Sequence, residues 1–409
     1  MLDDVKSDSQ VTVESFSSFD EISSLQEEWD DFVEKKGGDL FLTYDWCKIW
    51  WKYYGFDRIL HIYIFRDGNN IVGILPLFRE TLWLGLIHLN AVKIVGSDFI
   101  LAQFSLPVSK EYLSKVVQVL LDKLSAFKWD VLHIGQIAGL YADYDLWVSE
   151  LKRNCNHTLY VFPKKRGEQT YFELTKNWDS YLACLSKNGR KNVKRKYKQL
   201  DEYFAGTEGT LDSIIVTEEK MGAEMDKFIN FHQHYWQMKG LPGHFSEWPN
   251  SSEFHKEMAY RQYKKLRTRL MVCRCGDIDL SYEYGYQFGD KHYALWNSRL
   301  ETGSLAHLSI GIISSCELIK CAINEKKKYI DLMRGRFEYK LRLGGKVYSI
   351  RSLYICRRRL STVIRGLLFR VTARTIHEIY FKFWRKKICP KLRRFTPLWQ
   401  VWIRTHMFG

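Results

Sequence analysis

Gly303-Ser304-Leu305 opens a periodic apolar run that continues to Asn324, and here an anion could be held. Glycine lets a ligand approach the backbone, and the first amides of a helix, with the macrodipole behind them, favour negative charge. Thr302, Gly303, Ser304, Leu305 and His307 are candidates to hold an anion, although Thr and Ser before a helix also describe a plain N-cap. A second cationic place is Lys187–Lys196, where six of ten residues are Lys or Arg, Arg190 among them. It suits the phosphates of RNA, of a nucleotide-linked sugar or of a lipid carrier, or simply a solvated helix face. Tyr284, Tyr286 and Tyr293 fall on strands, with Trp296 close by; such tyrosines line clefts or end in a core with their hydroxyls reaching out. No metal site is expected. His232 and His234 are two apart and do not share a helical face, and Cys273 and Cys275 point to opposite sides of one strand. Zinc-finger spacing and an RRM aromatic signature are absent, so an anionic small substrate is expected rather than DNA.

These residues need a scaffold, and the apolar periodicity supplies two similar series of elements. The first has a helix on Ile22, Leu25, Trp29 and Phe32, a short helix 44–51, and the hairpin 59–65 and 71–78 around Asp67-Gly68. Strands at 82–89 and 92–104, a helix 111–127, a buried strand 130–134 and a helix 146–154 follow. The second starts near Tyr171 with helices 178–185, 186–204, 225–238 and 252–266. A hairpin 270–274 and 279–288, a strand 292–298, a helix 305–324, a strand 329–333 and a closing strand 347–355 complete it. Mixed α/β with strands mostly neighbouring in sequence predicts two related lobes, residues 1–168 and 169–355.

The chain of 409 residues is long enough for two such cores. Its nine cysteines have no framework spacing, which fits reduced thiols, and no apolar run of about 18 residues is present to span a bilayer. The acidic, polar start lacks the order of a signal peptide, so a cytoplasmic location is expected. The net charge of +15 is local: residues 356–409 hold fourteen Lys/Arg against Glu378 alone, and the rest has 48 bases and 46 acids. Between 357 and 403 apolar residues recur at helical steps among the cations, with tryptophans near the end. This amphipathic helical tail is expected either to lie on an anionic membrane surface or to dock on the lobes.

Several motifs, in this order, resemble the bacterial acyltransferases of the GNAT superfamily, in the two-domain CelD-like or BioF2-like form of envelope polysaccharide pathways. They are Leu25-x3-Trp29, Phe41-x4-Trp46-x4-Trp51, Gly73-Ile74-Leu75-Pro76-Leu77 and Gly96-Ser97-Asp98-Phe99. In the second half they are Ser186-x3-Arg190-x4-Arg195-Lys196, Thr302-Gly303-Ser304-Leu305, and Asp331-Leu332-Met333-Arg334-Gly335 followed by Tyr339-Lys340. Thr302 stands where the family has proline, and Leu343-Gly344-Gly345 where it has tryptophan.

The resemblance implies two tandem GNAT-like lobes, each a mixed, mostly antiparallel sheet flanked by helices, with the donor site in the second. It implies acetyl-CoA or another acyl-CoA as co-substrate, its pyrophosphate on 302–307, and a nucleotide-sugar or lipid-linked saccharide as acceptor. Lys340 would stabilise the developing oxyanion, Arg334 and Arg190 would bind anionic groups, and Tyr284 and Trp296 would line the acceptor cleft. Asp98 and Tyr293 are candidates for general base, with Tyr284 and Tyr286 as alternatives. Two rivals share the duplicated lobes: an aminoacyl transferase of FemABX type using aminoacyl-tRNA, gripped by 187–198, and a non-catalytic lobe pair at the membrane.

Overall fold

The computed structural model describes residues 11–98, 105–138, 144–155, 158–206, 209–241, 243–301, 303–388, 398–405 and 408. They form two compact units. The first runs to Arg166 and regains the chain at Ile350–Phe383 and at its described end; the second holds Gly167–Ser349 and the described residues from Trp384.

In chain order the first unit has β1 (Thr12–Phe16), α1 (Gln26–Lys35), α2 (Tyr44–Tyr54), β2 (Ile59–Asp67), β3 (Asn70–Leu84) and β4 (Ile87–Ile94). It continues with α3 (Leu113–Ser125), β5 (Val131–Ala138) and α4 (Tyr144–Asn154). The long strand β6 (Leu159–Glu173) carries the chain onward to α5 (Trp178–Cys184), α6 (Lys187–Phe204), β7 (Leu211–Ile215) and α7 (Glu218–Met238). Then come α8 (His244–Glu247), α9 (Ser251–Lys264), β8 (Thr268–Cys275), β9 (Ile278–Phe288) and β10 (Lys291–Arg299). The last elements are α10 (Ile310–Asn324), β11 (Tyr329–Arg334), α11 (Glu338–Arg342), β12 (Lys346–Arg357), α12 (Leu360–Glu378) and α13 (Leu398–Thr405).

The first unit's sheet has the order β1-β2-β3-β4-β5-β12, and the second's is β6-β11-β10-β9-β8-β7. Each is antiparallel except for one step. In the first unit β4 runs parallel to β5 only from Ala91↔Val131 to Lys93↔His133. In the second, β10 runs parallel to β11 only from Lys291↔Tyr329 to Tyr293↔Asp331. Two parallel strands that pair over three residues and then separate open a gap in the sheet, because both edges beyond the last pair have lost their ladder. The duplicated α/β architecture read from the sequence is thus present, down to the same step in each half.

Two hairpins turn where glycine permits it: Gly68 and Gly276 have φ of 56° and 55°, in the region L side chains rarely adopt. Aromatics fill the first core, with Trp29, Trp46, Trp50 and Trp147 fully buried. A buried ring of this size removes about 150–250 Å² from water, several kcal/mol each. The Trp29 indole donates to the Leu42 carbonyl at 2.7 Å, so its one polar atom is satisfied.

One element departs from expectation. The strand over 347–355 is divided: β12 pairs with β5, from Ile350↔Ala138 to Cys356↔Val131, and from Ile350 on it belongs to the first unit. Likewise the end of β6 pairs with β11 in the second. Alternating apolar residues fit either sheet, so periodicity alone does not choose a strand's partner. The tail follows β12 onto the first unit, where α12 buries Thr362, Phe369 and Ala373.

Candidate active site

The gap between β10 and β11 is bounded by α10 and α11, and the sequence dictates how each arrives there. β11 ends at Arg334, and Gly335 turns the chain with φ of 116°; a Cβ there would lie 2.4 Å from the Phe337 ring. This turn starts α11 immediately and brings Lys340 back along the strand it has just left. The Lys340 ammonium donates to the Leu332 carbonyl at 2.8 Å and is only 5% exposed. Burial lowers its pKa to about 8, against the opposing pull of Asp331 and Glu283.

Asp331 is wholly buried on β11. Its carboxylate accepts from the Gln169 amide and, at 2.8 Å, from the Met333 amide, while burial raises its pKa. Glu283 is the residue that sequence reading missed. It lies on β9 in register with Asn297 of β10, so both point to one face of the sheet. Ser314 of α10 donates to it at 2.8 Å, and burial pushes its carboxyl up to about 7 although Arg299 and Lys340 oppose this. Asn297 hydrogen-bonds the Tyr339 hydroxyl. One face of the second sheet therefore gathers a carboxyl that titrates near neutrality, a buried ammonium and a tyrosine. The available signal was a lone acid within the buried strand Leu280–Phe288.

α10 does not begin where its apolar period suggested. A 3-10 segment, Gly303–Leu308, comes first; Ser309 then takes φ of 56°, and the α-helix starts at Ile310. Gly303 has φ of 56° with open space at its Cβ position, His307 is exposed, and Leu305 is buried in an apolar cluster. Thr302 lies outside the described residues. The Arg299 side chain crosses the first turn of α10, since a Cβ on Gly311 would meet its Cδ at 2.9 Å. Arg299 also pairs with Glu301 at 2.5 Å. Cation and helix N-terminus thus meet at one spot.

Other expected residues lie elsewhere. Tyr284 and Trp296, paired in register, occupy the opposite face from Glu283 and Asn297, because side chains alternate along a strand. There Trp296 stacks on His244 at 5.0 Å and meets His255 at 4.1 Å. Tyr284 is buried and hydrogen-bonded to the Tyr286 hydroxyl. Burial holds His255 and His232 neutral by pushing both well below the usual imidazole range. Tyr293 is fully buried at the last position where β10 pairs with β11. Arg190 donates to the carbonyls of Ala183 and Leu185, at 3.0 and 2.6 Å, and so closes the end of α5. Arg334 is exposed at the end of β11.

Asp98 sits in the first unit among buried charges. It accepts from Arg58 through both oxygens, at 3.1 and 3.0 Å, and from Lys93 at 3.1 Å. Glu80 completes the cluster, bound by Lys93 at 2.6 Å, Arg58 at 3.2 Å and Arg404 at 2.5 Å. Both oxygens of the Asp98 carboxylate are thus engaged by buried cations, the opposite of the free oxygen a base needs.

Residues 187–341 match a family described as "Acetyltransferase (GNAT) domain". The fold is similar to the solved structure of FemX, with a TM-score of 0.59 and 11% identity over 86% of this chain and 100% of that one. It is also similar to a conserved protein of unknown function from Bacteroides thetaiotaomicron VPI-5482, with a TM-score of 0.50 and 10% identity over 85% and 100%. No curated protein matches the chain by sequence. The match to a GNAT acetyltransferase domain thus falls within the second unit, and the chain as a whole has a fold similar to that of FemX.

Proposed function

We propose that the second unit transfers an acyl group, acetyl by preference, from acyl-CoA to an amino or hydroxyl group of a nucleotide-sugar or lipid-linked saccharide precursor of envelope polysaccharide. The observation that carries the acyl-transfer chemistry is the meeting of Glu283 and Lys340 beside the strands that part after Tyr293 and Asp331. The saccharide acceptor rests on the motif resemblance.

Glu283, titrating near 7, accepts the proton of the acceptor amine or hydroxyl as that atom attacks the thioester carbonyl carbon. Lys340 stabilises the negative oxygen of the tetrahedral intermediate. The carbon–sulfur bond then breaks, and Glu283 returns its proton to the departing sulfur, leaving the CoA thiol and the acylated product. Arg299, over the first turn of α10, binds the donor's pyrophosphate together with the 303–311 backbone. Calorimetric titration of the full chain with acetyl-CoA tests the donor: micromolar binding that is lost in Gly303→Asp and weakened about tenfold in Arg299→Ala supports it. No binding by a folded sample removes CoA from the reading.

A second reading has one observation of its own. Beside α6 lies a groove of about 370 Å³ lined by Trp178, Tyr197, Lys194, Lys198, Lys320 and the acid Asp201, with Lys320 paired to Glu317 at 2.7 Å. The Lys320 ammonium stands 4.4 Å from the Tyr197 ring and 5.3 Å from that of Trp178. Aromatic faces among lysines suit a nucleobase and its phosphates, which favours an aminoacyl-tRNA donor. RNA that copurifies, leaves in high salt and is absent from Lys194→Glu/Lys198→Glu would support this donor instead.

A further inference from the structure

Helix α12 buries Thr362, Phe369 and Ala373 against the first unit, and Tyr380, seven residues on in the segment that follows, is buried too. These positions form one stripe. Leu360, Ile364, Leu367, Leu368 and Val371 lie on the opposite face, each between 49% and 78% exposed. Ile379 and Phe383 extend the row into the π-helical segment Ile379–Ile388. A scattered exposed leucine is ordinary; a continuous row along one helix marks an interaction surface.

The helix is fixed in this orientation. Arg357 donates to the Phe127 carbonyl at 3.0 Å and stacks on Trp129 at 4.9 Å, while Arg365 pairs with Asp130 at 3.0 Å. The apolar row therefore stays turned outward. Arg359, Arg370 and Arg374 are exposed beside it. Arg370 and Arg374 also stand near Lys164: burial, then Arg166, Arg370 and Arg374, lower the Lys164 ammonium to about 8. Cations gathered against their mutual repulsion suit an anionic partner. The only acid from 356 onward, Glu378, is already paired with Lys382.

We propose that the outer face of α12 docks on the surface of an anionic lipid bilayer, with the Leu360–Val371 row at the acyl boundary and Arg359, Arg370 and Arg374 at phosphate level. Among the described residues no helix is long and apolar enough to cross a membrane, so α12 would lie along the surface. A second copy of the chain is the poorer occupant, since it would set the same cations against one another.

Flotation of the full chain with vesicles tests this. Phosphatidylcholine vesicles containing about a third phosphatidylglycerol should carry the protein up at least about tenfold more efficiently than pure phosphatidylcholine, and about 0.5 M salt should release it. Leu367→Glu/Leu368→Glu and Arg370→Glu/Arg374→Glu should each lower the bound fraction about tenfold with an unchanged melting temperature, because all four residues are exposed. Flotation unaffected by both variants overturns the proposal. So does absence of flotation, or a lipid-independent dimer dissolved by the leucine variant.

Discussion

The Ser314 hydroxyl donates to the Glu283 carboxyl at 2.8 Å and ties the first turns of α10 to β9. Even with this bond, burial lifts Glu283 from 4.5 to about 7. Between those values the folded chain keeps a proton that the unfolded chain has released, so stability falls as pH rises across that window. The loss is about 3 kcal/mol from this one group. Urea unfolding at pH 5 and pH 7.5 should show the wild type losing about 3 kcal/mol relative to Glu283→Gln across that window, because the buried neutral His232 and His255, whose contribution rises with pH, are common to both. Parallel profiles would remove the claim that Glu283 is protonated in the acid range.

Acyl transfer needs Glu283 ionised and Lys340 protonated. The rate should rise through about pH 7 and fall again above about pH 8, a narrow optimum. Lys340→Met keeps bulk in the buried site and should lower the transfer rate about 10²–10³-fold, with little change in acetyl-CoA affinity. A variant that loses affinity instead would make Lys340 a donor-binding group.

Arg299 lies where β10 ends and α10 begins. Its removal takes a cation from the first turn of the helix and breaks a partly exposed pair with Glu301 and a contact with the Tyr235 ring at 5.4 Å. Arg299→Ala should therefore weaken acetyl-CoA binding about tenfold in calorimetry while leaving the melting temperature nearly unchanged. Equal weakening for dephospho-CoA and CoA would point to the pyrophosphate rather than the 3′-phosphate.

Local chemistry was legible in the sequence and long-range partnership was not. Gly68 and Gly276 announced their hairpins, and the Asp331-to-Lys340 stretch brings its charges to one place because Gly335 makes the turn within ten residues. Glu283 reads as any acid among tyrosines until Ser314, 31 residues on, closes over it. Tyr284 and Trp296 were chosen one position away from Glu283 and Asn297, which on a strand means the opposite face. β12 carries an alternation that either sheet accepts, and its pairing with β5 follows only from the folded chain.

Asp98 is a further case, since its partner Arg58 is 40 residues away in sequence. Together with Glu80, Lys93 and Arg404 it forms a cluster in which burial would raise the Glu80 carboxyl, yet Lys93, Arg58 and Arg404 hold it at about 2. That stabilisation is full above the ordinary Glu range and is lost as pH falls toward 2. Asp98→Asn would leave Arg58 and Lys93 with one fewer buried counter-charge, at a cost of about 3–5 kcal/mol. The melting temperature should drop clearly, while the transfer rate per folded molecule stays within about twofold of wild type. The opposite pattern, a normal melting temperature with a rate reduced 10²-fold or more, would return Asp98 to the role of base.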